Sequence, residues 1–292
     1  MKAKAYGLLL STNGAPEGRA ALDYGVWLAG RLDLPVTLLG IVEVAAQEGA
    51  VRQTVQMTQA DLHAAGIPYA MRVRRGRARE VVAAEAGREE HLVVLGPMGR
   101  PRWRRWLRGR SLRRMMPDLP VPFIYAPTAH RRMSRILVST GALDHAASAE
   151  RWAVELARRM GAALTVLHVV EAPHFEYPTT QQVVGHWQNL LTTDTPQARH
   201  LRALMARAQG TGVDATLEVR RGTVMHEIVA EARAEPYDLL VMGSKHSSES
   251  LRSQYLPDIT AGVMEALSRP VLVVRAGQGC PLLERGPRDR GS

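Results

Sequence analysis

Along the chain, short runs of uninterrupted apolar residues alternate with Ala- and Leu-rich stretches whose apolar positions recur every three or four residues. The first pattern marks strands buried on both faces, the second amphipathic helices. In the first half, strands are predicted at about 5–11, 36–42, 69–74, 91–95 and 122–126, and helices at 17–32, 50–65 and 78–89. Pro16 stands at a first helical position and Gly66 closes the second helix. A long loop and a short helix near 110–117 separate the last two strands. The alternation then resumes, with strands near 135–140, 163–169, 214–219, 238–242 and 271–274. There the second helical region, about 179–209, is longer and interrupted by Gly185 and Pro196. Strict alternation of β and α elements with wholly apolar strands predicts an α/β protein with parallel sheets covered by helices on both faces.

The two halves are copies of one unit. Leu8-Leu9-Leu10-Ser11-Thr12 returns as Ile136-Leu137-Val138-Ser139-Thr140, an offset of 128 residues. The register holds through Val26/Val154, Leu28/Leu156, Ala29/Ala157, Arg31/Arg159, Thr37/Thr165, Leu39/Leu167, Val42/Val170 and Glu43/Glu171. It returns at an offset of 147 as Leu92-Val93-Val94-Leu95-Gly96 against Leu239-Leu240-Val241-Met242-Gly243. A repeat this long makes a tandem of domains, not a solenoid. The boundaries read as 1–128 and 133–275, joined by the short polar stretch Thr128–Met133. The tail 276–292, rich in Gly, Pro and Arg, is expected to be disordered.

Composition narrows the setting. A single cysteine, Cys280, excludes a disulfide framework and points to a reducing compartment. The first residues have neither the apolar core nor the cleavage site of a secretory signal, and no apolar run approaches the roughly 20 residues of a membrane span. A cytoplasmic protein without membrane partners is the expectation. Charge is uneven: residues 1–128 hold 19 basic against 11 acidic residues, residues 129–292 hold 19 against 17. Most of the excess lies between Arg100 and Arg114, with Trp103 and Trp106 among the arginines. Such a cluster attracts polyanions, or is simply a solvated basic loop.

In a doubly wound sheet, ligands bind outside the carboxyl ends of the strands where strand order reverses. The fourth-strand loop of half one is Gly96-Pro97-Met98-Gly99, nine residues, then Gly109-Arg110-Ser111 opening a helix. Glycines there let backbone N–H groups approach phosphate, and the helix start adds a favourable dipole. Strand-Gly-x-x-Gly, nine residues, Gly-[Ser/Thr], helix, Pro-Val and an apolar strand resembles the universal stress protein domain. Ala149 to Ala157, Val169-Val170-Glu171 and Arg269-Pro270-Val271-Leu272-Val273-Val274 are similar to the same family, over about residues 4–127 and 133–275.

The resemblance implies two doubly wound five-stranded parallel sheets, each of strand order 3-2-1-4-5, of the adenine nucleotide alpha hydrolase-like type. It implies that the apolar last strands pair within the chain as a pseudo-dimer, with a homodimer also open to it. ATP or a related adenine nucleotide is the implied ligand, with magnesium only as it accompanies the nucleotide. In half one the contacts fall on Asn13, Val42, Gly96, Gly99, Gly109, Arg110 and Ser111. The pattern departs from the family at Asn13, where ATP-binding members carry Asp, and at Arg110, where they carry Ser or Thr. Half two departs further, with Gly141 at the Asp position and His246, Pro257 and Asp258 along its loop. Pro257 has no N–H to donate and Asp258 repels phosphate, so half one is expected to be the better nucleotide site.

Other chemistries are weaker. No Walker A or dinucleotide turn follows a first strand. His174 and His186 lack ligand-like spacing, and Ser139 sits in no nucleophile elbow. Glu43 and Glu171 end equivalent strands and read as anchors of strand ends. No catalytic machinery is evident, so a regulatory nucleotide binder is expected rather than an enzyme. The alternative is a nucleotide-free scaffold whose Arg/Trp loop binds a polyanion such as nucleic acid.

Overall fold

The computed structural model describes residues 6–88, 91–97, 119–171, 187–244 and 259–283. Half one contributes β1 (Gly7–Thr12), α1 (Arg19–Leu32), β2 (Val36–Val42), α2 (Glu48–Ala64), β3 (Tyr69–Arg75), α3 (Ala78–Ala86), β4 (His91–Leu95) and β5 (Phe123–Tyr125). Half two contributes β6 (Arg135–Thr140), α4 (Ala147–Met160), β7 (Ala163–Glu171), α5 (Pro196–Gly210), β8 (Ala215–Gly222), α6 (Val224–Ala234), β9 (Leu239–Ser244), α7 (Ile259–Ala266) and β10 (Val271–Arg275). The helix expected near 110–117 lies outside the described residues.

Each half has the order 3-2-1-4-5, but the two sheets are not separate. They fuse into one ten-stranded sheet, β3-β2-β1-β4-β5-β10-β9-β6-β7-β8. Pairing is parallel within each half and antiparallel at the junction, where Phe123, Ile124 and Tyr125 face Val273, Leu272 and Val271. Two apolar last strands would each leave a row of unpaired backbone groups, and their mutual pairing removes both edges.

The pleat sends successive apolar residues to opposite faces, and one core lies on each. Leu8 and Leu10 join the core beneath α1, α2, α4 and α5, while Leu9 joins the core beneath α3, α6 and α7. Both cores draw buried residues from both halves. Across the junction Tyr6 of half one meets Trp152 of half two with ring centroids 6.2 Å apart, and Trp152 is fully buried.

The linker is held as well. Asp238, at the start of β9, accepts hydrogen bonds from the Ser134 amide (2.7 Å), the Ser134 hydroxyl (2.8 Å) and the Arg135 amide (3.1 Å), and His130 Nε2 lies 2.6 Å from it. Burial alone would raise its carboxyl pKa. The bonds from His130, Ser134 and Arg135 outweigh that and hold it below the ordinary carboxylate range.

In the second helical region of half two, Pro196 opens α5, and Thr195 caps it by accepting the Ala198 amide at 3.2 Å. A separate 3-10 turn precedes it at Trp187–Thr192, and residues 172–186 lie outside the description. One expectation needs correction: residues 276–283 of the tail are packed, not disordered. Trp152 Nε1 donates to the Gly279 carbonyl at 2.8 Å, Arg159 binds the Leu282 carbonyl, and Gln278 Nε2 donates to the Pro120 carbonyl at 2.9 Å. Cys280 and Leu282 are buried in the first core, and burial pushes the Cys280 thiol up to about 11. Turn-rich composition hid a turn that buries two apolar side chains.

Leu282 is fully buried and Leu283 is 55% exposed, so the pair separates packing from chain position. Leu282→Ala should cost about 2–5 kcal/mol in urea unfolding, and Leu283→Ala less than about 0.5 kcal/mol. Equal effects of the two would show that the terminal turn does not pack.

Candidate functional site

The switch point of half one lies between β1 and β4, where the connections run to opposite sides of the sheet. Asn13 follows β1 in a tight turn: Thr12 Oγ1 accepts the Gly14 amide at 3.1 Å, and Asn13 Oδ1 accepts the Ala15 amide at 3.2 Å. The turn needs Gly14, whose φ is +78° and where a Cβ would stand 2.6 Å from the Val51 nitrogen. Asn13 is buried, with its Oδ1 committed to the turn.

Asn13 and Gly96 line one cleft, together with Ser11, Thr12, Ile41 and Pro97. It holds about 20 Å³, the room of about one water. Val42 is not in its wall; it is buried at the end of β2 and its carbonyl accepts the Gly76 amide at 3.1 Å. Gly99, Gly109, Arg110 and Ser111 lie outside the described residues, as do Met98 and the whole Arg100–Arg114 cluster. Gly96 has a packing reason to be glycine, since a Cβ there would stand 2.7 Å from Ala21 Cβ. Glu43 serves as an anchor: its Oε1 accepts the Ala78 amide at 2.9 Å, at the start of α3.

Half two is built differently at the same place. After β6 the chain turns through Gly141 and Ala142, and Ala142 takes φ +53°, a left-handed conformation that disfavours any side chain by roughly 1 kcal/mol. The Ala142 amide donates to Thr140 Oγ1 at 2.9 Å, and that hydroxyl donates to Glu150 Oε1 at 2.5 Å. His200 Nε2, from α5, lies 2.9 and 2.8 Å from the two Glu150 oxygens. His168 Nδ1, from β7, lies 3.0 Å from the Thr140 carbonyl, so it carries the proton of that bond. Glu150 is buried, and in the register of the repeat it replaces Leu22 as His168 replaces Gly40.

A cleft of about 440 Å³ opens beside this network, lined by Asp144, His145, Arg199, His200 and the lip of the β6–α4 turn. The His145 ring fills the space over Gly141, where a Cβ would stand 3.0 Å from its Nε2. Gly243, the counterpart of Gly96, is not pinched: its nearest neighbours would be 3.9 Å from a Cβ. His246, Pro257 and Asp258, as well as His174 and His186, lie outside the described residues. Among the described residues no three His, Cys, Asp or Glu side chains gather as a metal site. No helix among them is long and apolar enough to cross a membrane.

The buried network was missed by sequence reasoning, although a signal existed. Placing the copies in register puts a charged or ionisable residue against an apolar or absent side chain at two core positions.

Residues 133–275 match the family model described as the universal stress protein family. The second half belongs to the universal stress protein family. The first half repeats its fold and strand order. The whole chain is similar in fold to a universal stress protein from Archaeoglobus fulgidus DSM 4304, at 15% identity and TM-score 0.65, covering 93% of this chain and 96% of that one. It is likewise similar to a putative universal stress protein from Pseudomonas aeruginosa UCBPP-PA14, at 15% identity and TM-score 0.66, covering 94% of each chain. At such identity the likeness shows the fold alone. None of the curated proteins compared matches the chain.

Two predictions follow from the contrast between the halves. Gly96→Ala should cost about 1–3 kcal/mol by overpacking against Ala21, while Gly243→Ala should stay within about 0.5 kcal/mol in denaturant titrations. The reverse order would contradict the packing described.

The second concerns pH. Burial lowers the His168 pKa, the Thr140 carbonyl only partly offsets this, and His200 lowers it further. The unfolded chain, whose imidazole titrates near 6.5, therefore binds the proton before the folded one as pH falls. Stability should drop with acidification below about pH 6.5, by at most about 1.4 kcal/mol per unit from this residue, and be indifferent to it above. His168→Asn should flatten that part of the profile in urea midpoints compared at pH 7.5 and 5.5. An unchanged slope would assign the effect elsewhere.

Proposed function

We propose that this tandem universal stress protein is a nucleotide-binding regulatory protein whose first domain, residues 1–128, takes ATP or a related adenine nucleotide. The second domain, 133–275, supports assembly through the shared sheet. The observation that supports the reading most directly is the meeting of Asn13 and Gly96 in one cleft at the carboxyl ends of β1 and β4, where a doubly wound sheet takes its ligand. Val42 lies beside it at the end of β2, with its neighbour Ile41 in the wall. In this reading the base sits between the ends of β1 and β2, and the phosphates lie against Gly96, Gly99, Gly109, Arg110 and Ser111. Arg110 supplies a charged, forked donor where the family has a hydroxyl. Magnesium enters only with the phosphates, and no step of catalysis is assigned.

The cleft is far smaller than the roughly 300 Å³ and more of ordinary ligand pockets, so binding parts the walls around Asn13 and Pro97. Because both cores cross between halves, the test belongs to the whole chain. Calorimetric titration with ATP should show binding that Gly109→Val abolishes, since in this reading a β-branched side chain there occupies phosphate space. Unchanged affinity in that variant removes the placement, and no binding by the wild type favours the scaffold reading.

A further inference from the structure

Among the described residues the cleft of half two has no counterpart in half one, and the repeat shows why. In half one the β1–α1 turn presses on the first turn of α2, so that a Cβ on Gly14 would stand 2.6 Å from Val51 N and 2.8 Å from the Ala50 carbonyl carbon. In half two the corresponding turn, through Ala142, stands clear of α5 and leaves about 440 Å³ between them. This opening is also apart from the β1–β4 crevice: none of the half-two positions matching Ser11, Thr12, Asn13, Ile41 or Gly96 is in its wall.

What lines it is chemically specific. His200 is held by its Nε2 against the buried Glu150 carboxylate, which leaves Nδ1 as its other polar atom. Glu150 is in turn fixed by Thr140, whose hydroxyl also accepts the Ala142 amide at the lip of the cleft. The imidazole is thus oriented from behind by groups inside the core. Taking a carboxylate into a core where the sister half keeps Leu22 costs desolvation, and packing alone does not call for it. Beside His200 stands Arg199, whose partner Asp194 (3.0 Å) is 82% exposed. An ion pair so exposed is weak, and the guanidinium is free to exchange it for a ligand oxyanion. Asp144, on the opposite wall, is exposed and accepts hydrogen bonds only, so it suits a hydroxyl and repels a bare anion.

We propose that this cleft is a second ligand site, separate from the nucleotide crevice, for a small oxyanion that also carries a hydroxyl: a polyol phosphate or a hydroxycarboxylate. Arg199 and His200 take the oxyanion and Asp144 takes the hydroxyl. The Ala142 turn, locked by Thr140, holds the cleft open.

The test uses the full chain, with glycerol 3-phosphate, glycerate and inorganic phosphate as probes in calorimetric titrations at low salt. Glycerol 3-phosphate or glycerate should bind, the preferred one identifying the oxyanion as phosphate or carboxylate, and inorganic phosphate should bind at least tenfold more weakly. Arg199→Gln should weaken the preferred probe at least tenfold while keeping the wild-type unfolding midpoint, because Arg199 is largely exposed. Asp144→Asn should erase most of the preference over inorganic phosphate. The His200 ring signals should shift on titration in nitrogen-resolved NMR, a readout that does not depend on a variant folding. Binding of none of the probes, or binding unaltered by Arg199→Gln, overturns the proposal. So does probe binding that leaves the His200 signals in place.

Discussion

Everything in this molecule depends on the antiparallel pairing of two three-residue stretches, Phe123–Tyr125 and Val271–Val273. A five-stranded sheet ending in so apolar a strand cannot stand in water without a partner for its backbone. Pairing the two ends turns a liability into the axis of the fold, and it brings both helical layers into register across the junction. The cores on the two faces become continuous, so Tyr6 can reach Trp152 and the Gln278 side chain can reach the Pro120 carbonyl. The duplicated unit is therefore a unit of sequence and topology, while burial treats the chain as one body.

Much of this was readable from the sequence. Uninterrupted apolar runs are strong signals because a strand buried on both faces admits few polar residues, so β1, β2, β4, β6, β9 and β10 stand where the pattern puts them. Helix starts were less legible. At α5 the start at Pro196 follows from the Thr195 cap, because a helix start is set by who satisfies its first N–H groups. The terminal turn failed for a different reason: composition describes averages, and two buried residues, Cys280 and Leu282, are enough to anchor a segment otherwise rich in glycine and proline.

The site was legible only in outline. Position along the fold placed Asn13 and Gly96 together, since both lie where strand order reverses. The motif did not show that Gly96 is demanded by packing, where a Cβ would stand 2.7 Å from Ala21 Cβ. Nor did it show that the sister half had moved its polar groups to a new place. Glu150, Thr140, His168 and His200 are far apart in sequence and belong to no pattern of spacing; only the sheet brings β6, β7 and the two helices to one point. Duplication supplies the comparison that makes such a change visible, because each half is a template for the other.

The junction also sets a timetable for synthesis. Tyr125 leaves the ribosome well before its partner Val271, and 145 residues lie between them. At about 5–20 residues per second that interval is roughly 7–30 s, during which β5 has no β10 to pair with. The nascent chain is therefore most exposed to wrong partners midway through translation. Release from that exposure comes only with the strand that closes the sheet.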